Sequence, residues 1–112
     1  VSDGHTECLS VKLARQATES EVISTFRSFN PLKSLNLPSS PHQPIVVKDE
    51  TDRPQPRLDR NTQNGMASIV GRIRPCNVLD YKFVVLGHNT IRGAAGAAIL
   101  NAELMKAKGY LN

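Results

Sequence analysis

The spacing of apolar residues changes along this chain, and each change marks an element. From Thr6 to Leu13 the residues alternate, with Leu9, Val11 and Leu13 on one side and Cys8, Ser10 and Lys12 on the other, which predicts a half-buried strand. Thr18 followed by Glu21 forms a capping-box pattern. Val22, Ile23, Phe26 and Phe29 then supply the stripe of an amphipathic helix, which Asn30-Pro31 stops. Between Asn30 and Gly65 lie six of the seven prolines and one clear strand, Ile45-Val46-Val47. Compact domains seldom hold so much irregular backbone unless it lies across another surface, so this stretch reads as a wrapping arm. Alternation returns from Met66 to Arg74 around Ile69, Gly71 and Ile73, and again from Asp80 to Leu86 around Tyr81, Phe83 and Val85. Pro75-Cys76-Asn77 separates these two runs, which should pair antiparallel.

The last segment follows a different rule. From Ile91 to Lys108 the polar side chains are only Arg92, Asn101, Glu103, Lys106 and Lys108, so the first turns of a helix running from about Thr90 to Lys108 and stopping at Gly109 are apolar or nearly side-chain-free all round. A helix of that kind is buried, and this sequence holds little to bury it. Gly93, Ala94, Ala95, Gly96, Ala97 and Ala98 would let another backbone or a flat ligand come close where free N–H groups point outward. The expectation is a small α+β unit of mixed and antiparallel strands, an amphipathic helix, and a long terminal helix that packs on protein outside this sequence.

Composition supports that view. A chain of 112 residues can bury about 65% of its unfolded surface, but with no Trp, three Phe and two Tyr its own core would be thin. Starting at Val1, it is expected to be part of something longer. No apolar run is long enough for a membrane span and no leader pattern is visible, so the expectation is a soluble, cytoplasmic protein with no membrane partner. Cys8 and Cys76 lack metal-ligand spacing; one disulfide is open, and a reducing compartment is the simpler reading. The net charge of +4 is dispersed and not interleaved with aromatics, which argues against nucleic acid as a partner.

Four places invite chemistry. His5, after Asp3-Gly4, sits at a strand entrance with a ring suited to proton transfer near neutral pH, though a histidine there is ordinary, and Glu7 shares its side of the strand. Gly87-His88-Asn89-Thr90 ahead of Gly93 and Gly96 reads either as a ligand-cradling turn or as an Asn or Thr helix cap; the Asn89 amide can both donate to and accept from a carboxamide edge. Arg53 to Arg60 is either an anion site with three guanidinium groups or a stiff segment whose arginines pair with carboxylates of a neighbour. Neither Cys8 nor Cys76 has a convincing base beside it, and in alternation Cys8 points away from His5.

In order, Asp3-Gly4-His5-Thr6-Glu7, Pro54-Gln55-Pro56-Arg57-Leu58-Asp59-Arg60, Gly65-Met66, Val70-Gly71-Arg72-Ile73-Arg74 and His88-Asn89-Thr90-Ile91-Arg92-Gly93-Ala94-Ala95 resemble the C-terminal third of aspartate-β-semialdehyde dehydrogenases of the fungal and archaeal branch. The resemblance spans essentially the whole chain. It implies part of a two-domain α/β oxidoreductase that interconverts L-aspartyl 4-phosphate and L-aspartate 4-semialdehyde with NADPH, on the route to threonine, methionine and lysine. It further implies that His5 is the acid/base partner of a cysteine nucleophile and that Asn89 holds the nicotinamide carboxamide of NADP. Residues 1–86 would then be the C-terminal part of the catalytic and dimerisation domain. Residues 87–112 would be the helix that returns to the NADP-binding domain, and the enzyme would form a homodimer or tetramer. The family's Asn-Cys nucleophile, substrate-carboxylate arginine and glycine-rich phosphate turn are not in this sequence, so the chain alone is expected to be inert. The alternative is a non-catalytic basic module binding a polyanion or protein surface through Arg53 to Arg60.

Overall fold

The computed structural model describes residues 2–112. Strand β1 (His5–Val11) leads to helix α1 (Glu19–Ser28); after a turn of 3-10 helix at Lys33–Leu35 come strand β2 (Ile45–Lys48) and the one-turn helix α2 (Pro56–Asp59). Strands β3 (Ser68–Pro75) and β4 (Tyr81–Gly87) follow, and then a π-helical turn, Ile91–Ala95, that runs into helix α3 (Gly96–Ala107). The strands form one mixed sheet in the order β1-β4-β3-β2, antiparallel at β1/β4 and β4/β3 and parallel at β3/β2.

Helix α1 starts where the capping box requires. Thr18 Oγ1 accepts from Glu21 N–H at 3.2 Å, and the Glu21 carboxylate accepts from Thr18 N–H at 2.6 Å; the Thr18 N–H, and after it the Thr18 side chain, hold the Glu21 carboxyl below its ordinary value. The helix lies over β2 and β3, and Phe26 meets Phe83 of β4 edge to face with centroids 5.5 Å apart.

The opposite face of the sheet is also covered, which simple alternation did not anticipate. Ile69 and Leu86, whose side chains point away from α1, are 1% and 0% exposed and cluster with Ala67 and Val46. Val70 and Phe83, on the α1 side, are buried as well. The cover on the far side is the segment 53–60, part of the arm. Its backbone lies so close to β3 that a Cβ on Gly71 would fall on the carbonyl of Arg53, so only glycine fits there. The arm therefore wraps surfaces of its own chain: Leu32 and Leu37, earlier along it, pack with Met66, Ile91, Leu100 and Leu104 against the terminal helix.

Two expectations are corrected. β1 is not half-buried, since every residue from His5 to Ser10 is exposed. It is the edge strand, and α1 sits over the other end of the sheet. The regular alternation expected through Ile73 breaks at a bulge between Gly71 and Arg74, where Arg72 takes φ 56°. The terminal helix buries one stripe through Leu100, with Glu103 accepting from Ser39 N–H and Oγ at 2.9 and 2.7 Å. Ile99 is 56% exposed and Met105, Tyr110 and Leu111 are open to solvent.

The 53–60 strap is anchored by one buried acid. Asp59 is 1% exposed, accepts from Arg53 Nε at 2.8 Å and from its Nη2, accepts from Gln55 N–H at 2.7 Å, and has Lys48 Nζ at 3.7 Å. The Arg53 guanidinium above all holds the Asp59 carboxyl below its ordinary 3.8. A depressed native value means the stabilisation is complete above the ordinary value and disappears as pH falls through the native one. Asp59→Ala removes the buried acceptor shared by Arg53, Gln55 N–H and Lys48, so it should lower the midpoint of a denaturation curve. The same variant should lose the acid-side decline in stability that this carboxylate causes.

Candidate functional site

At one end of the sheet three segments meet. β1 begins at His5, which pairs with Gly87, the last residue of β4. Gly4, just beyond that ladder, is buried at φ 110°; a Cβ there would lie 3.2 Å from Leu86 Cδ1 and 3.3 Å from Pro56 Cβ. Only glycine makes this bend without strain, and the bend is what carries the chain up to the His5 ring. The ring itself is exposed at the corner.

Beyond Gly87 the chain turns through His88 and Asn89 into the π-helical turn. The His88 side chain is buried, and its Nδ1 lies 3.3 Å from the N–H groups of both Thr90 and Ile91 and 3.2 Å from Thr90 Oγ1. Accepting these bonds requires the neutral ring protonated on Nε2. Gly93 N–H donates to the His88 carbonyl at 2.9 Å, and Ala95 N–H to that of Thr90 at 3.1 Å. The helix cap expected from Asn89 or Thr90 is thus supplied by His88, and the first turn is wider than an α-helix. Asn89 does something else: its Oδ1 accepts from Gly4 N–H at 2.8 Å, across 85 positions of sequence. That leaves its amino group as the edge able to meet a ligand.

The other candidates separate from this corner. Cys8 lies further along β1 and on the face opposite to His5. Cys76 sits in the β3–β4 turn, at the far end of β4, about 20 Å away by strand rise. Its thiol is held below the ordinary value by the N–H groups of Leu79 and then Val78, with Leu79 N at 3.4 Å from Sγ. Of the three arginines in the strap, Arg53 is taken up by Asp59 of its own chain, Arg57 is exposed, and Arg60 lies against Gly4.

Residues 1–92 match the family described as semialdehyde dehydrogenase, dimerisation domain. The chain belongs to that family. Its relatives include the aspartate-semialdehyde dehydrogenases of Archaeoglobus fulgidus, 55% identical over 105 residues, and Cryptococcus neoformans, 51% identical over 114. These alignments take in 94% and 99% of this chain but 30% and 31% of the relatives, so the chain spans about a third of their length. The crystal structure of the Candida albicans aspartate-semialdehyde dehydrogenase with NADP superposes with a TM-score of 0.86 at 47% identity, over 97% of this chain and 31% of that one. The α+β architecture of this chain is therefore that of the matching part of the longer Candida albicans enzyme.

The sequence offers His5 and Asn89 as candidates but does not show the bond that ties their segments together. Gly4 ahead of His5 was its one visible trace. Nothing in the sequence marked His88 as the cap or Asp59 as the anchor of the strap beneath Gly4. His88→Ala should remove an N-terminal cap at a cost of about 0.5–2 kcal/mol. It should also speed hydrogen exchange at the Thr90 and Ile91 amides.

Proposed function

We propose that this chain is the C-terminal part of an oxidoreductase that interconverts L-aspartyl 4-phosphate and L-aspartate 4-semialdehyde with NADPH or NADP and phosphate. The observation that carries the reading is the corner itself: an exposed imidazole at the start of β1, with Asn89 bonded to the residue before it. Relatives at 46–55% identity bear the name of that enzyme, and one was solved with NADP.

In this reading His5 moves the proton. A solvent-facing imidazole on a fixed strand end can take a proton as a bond to the substrate carbonyl carbon forms and return it as that bond breaks. NADP, when bound, supplies the hydride chemistry. The residues at hand fit its amide end: the Asn89 amino group can donate to a carboxamide oxygen, and exposed Gly93, Ala94 and Ala95 offer a surface without bulky side chains. Neither cysteine of this chain stands at the corner, so the nucleophile comes from the part of the enzyme outside these residues.

The same reading gives the uncovered surfaces occupants. Residues 87–112 form the helix that returns to the nucleotide-binding domain, which would cover Ile99 and Met105, while 1–86 belong to the catalytic and dimerisation domain. The exposed edge strand and the family's description favour a homodimer, or a tetramer built from it. No helix among the described residues is long and apolar enough to cross a membrane, and a cytoplasmic location fits amino-acid biosynthesis.

In the complete enzyme, His5→Ala should lower turnover by about 10²- to 10⁴-fold, the usual contribution of a positioned proton carrier. Steady-state oxidation of aspartate semialdehyde with NADP and phosphate reads this directly, and a variant as fast as its parent would refute the role. The isolated 112-residue chain should show no turnover in the same assay. Measurable activity there would mean that the chemistry needs nothing beyond these residues.

A further inference from the structure

Gly4 presents a problem that Asn89 solves. It is buried, so its N–H requires a partner, yet it lies one residue outside the β1–β4 ladder, whose first pair is His5 with Gly87. Asn89 Oδ1 takes that N–H at 2.8 Å and in effect lengthens the ladder by one rung made from a side chain. We propose that Asn89 is a positioning residue for His5: by holding Gly4 it fixes the bend from which the imidazole projects. The proposal rests on the acid/base reading of His5 given above.

The surroundings make this bond directional. Asn89 is itself held between two fixed neighbours, since His88 is buried with Nδ1 on the Thr90 and Ile91 N–H groups and its carbonyl takes Gly93 N–H. Gly4 is wedged against Leu86, Pro56 and Arg60. Asn89 is fixed by the capped helix start beside it, whereas Gly4 has no side chain to hold its backbone, so loss of the bond frees the approach to His5 more than it frees the helix start. The same amide presents its amino group on the other side. One side chain can therefore register a carboxamide ligand with one edge and set the proton carrier with the other.

The test is a double-mutant cycle in the full-length enzyme that contains this segment, with kcat and the KM for NADP measured for His5→Ala, Asn89→Ala, Asn89→Asp and the His5→Ala/Asn89→Ala pair. Misplacing a catalytic group slightly is enough to slow turnover about 100-fold, so Asn89→Ala should lower kcat by about 10- to 100-fold where His5 is present. It should lower kcat by less than about 2-fold where His5 is already gone, because the two act as one unit. Asn89→Asp keeps the acceptor for Gly4 N–H and loses the amino group, so its kcat should fall by less than that of Asn89→Ala while its KM for NADP rises.

An equal cost of Asn89→Ala in both backgrounds overturns the proposal, as does a change confined to the KM for NADP. So does an Asn89→Asp enzyme as slow as Asn89→Ala. If Asn89→Ala fails to fold, Asn89→Leu, which keeps the size of the side chain and loses the acceptor, takes its place in the cycle, and an equal cost in both His5 backgrounds again overturns the proposal. Failure of the underlying reading looks different: His5→Ala by itself would then run at the parental rate, whatever the Asn89 variants do.

Discussion

The ion pair that the buried Asp59 makes with Arg53 is the constraint on which the rest of this structure depends. The sheet is four strands wide and α1 covers one face of it only, so the other face must be closed by chain that has almost no regular structure of its own. Extended backbone does not close a face firmly by apolar contact alone. Here a carboxylate with almost no solvent access receives the Arg53 guanidinium, the Gln55 N–H and the approach of Lys48 from β2, which fastens the strap across the sheet. A charge so placed is tolerated only because it is paired and hydrogen-bonded. Gly71 then lets the strap lie against β3, and Pro56 and Arg60 close over Gly4.

That chain of contacts ends at the corner where the chemistry is read. Pro56 and Leu86 seat Gly4, Gly4 turns the backbone into His5, and Asn89 reaches back to the same N–H from the start of the terminal helix. His88 serves a supporting purpose beside it, filling a buried position while its ring nitrogen satisfies the first N–H groups of the helix. Polar groups therefore fix the corner, and the sheet behind it supplies rigidity. In the proposed reading, the aliphatic surface left open on α3 and the exposed edge at β1 are covered by the rest of the longer enzyme.

Much of the architecture was legible because it depends on local rules. The capping box at Thr18 and Glu21, the stop at Asn30-Pro31, the strand pair around Pro75-Cys76-Asn77 and the helix ending near Gly109 all follow from neighbours in sequence, and the structure holds each of them. The parallel partner of Ile45–Val47 was not legible, nor was the burial of both Ile69 and Val70, because period-2 alternation reports one covered face and this sheet has two. The arm was recognised as something that lies across a surface, but which surface it covers is settled by Asp59 and Gly71, whose partners are distant contacts and not patterns.

Sequence by itself determined the four strands and the two long helices, the apolar excess of the terminal one, the family resemblance, and the candidacy of His5 and Asn89. Tertiary structure decided what those residues touch. Residue type limits which hydrogen bonds a side chain can make, but the partner is chosen by whichever backbone the fold brings within about 3 Å. For Asn89 that partner is Gly4, 85 positions away, and for the helix start it is His88, not the Asn or Thr that a local capping rule selects.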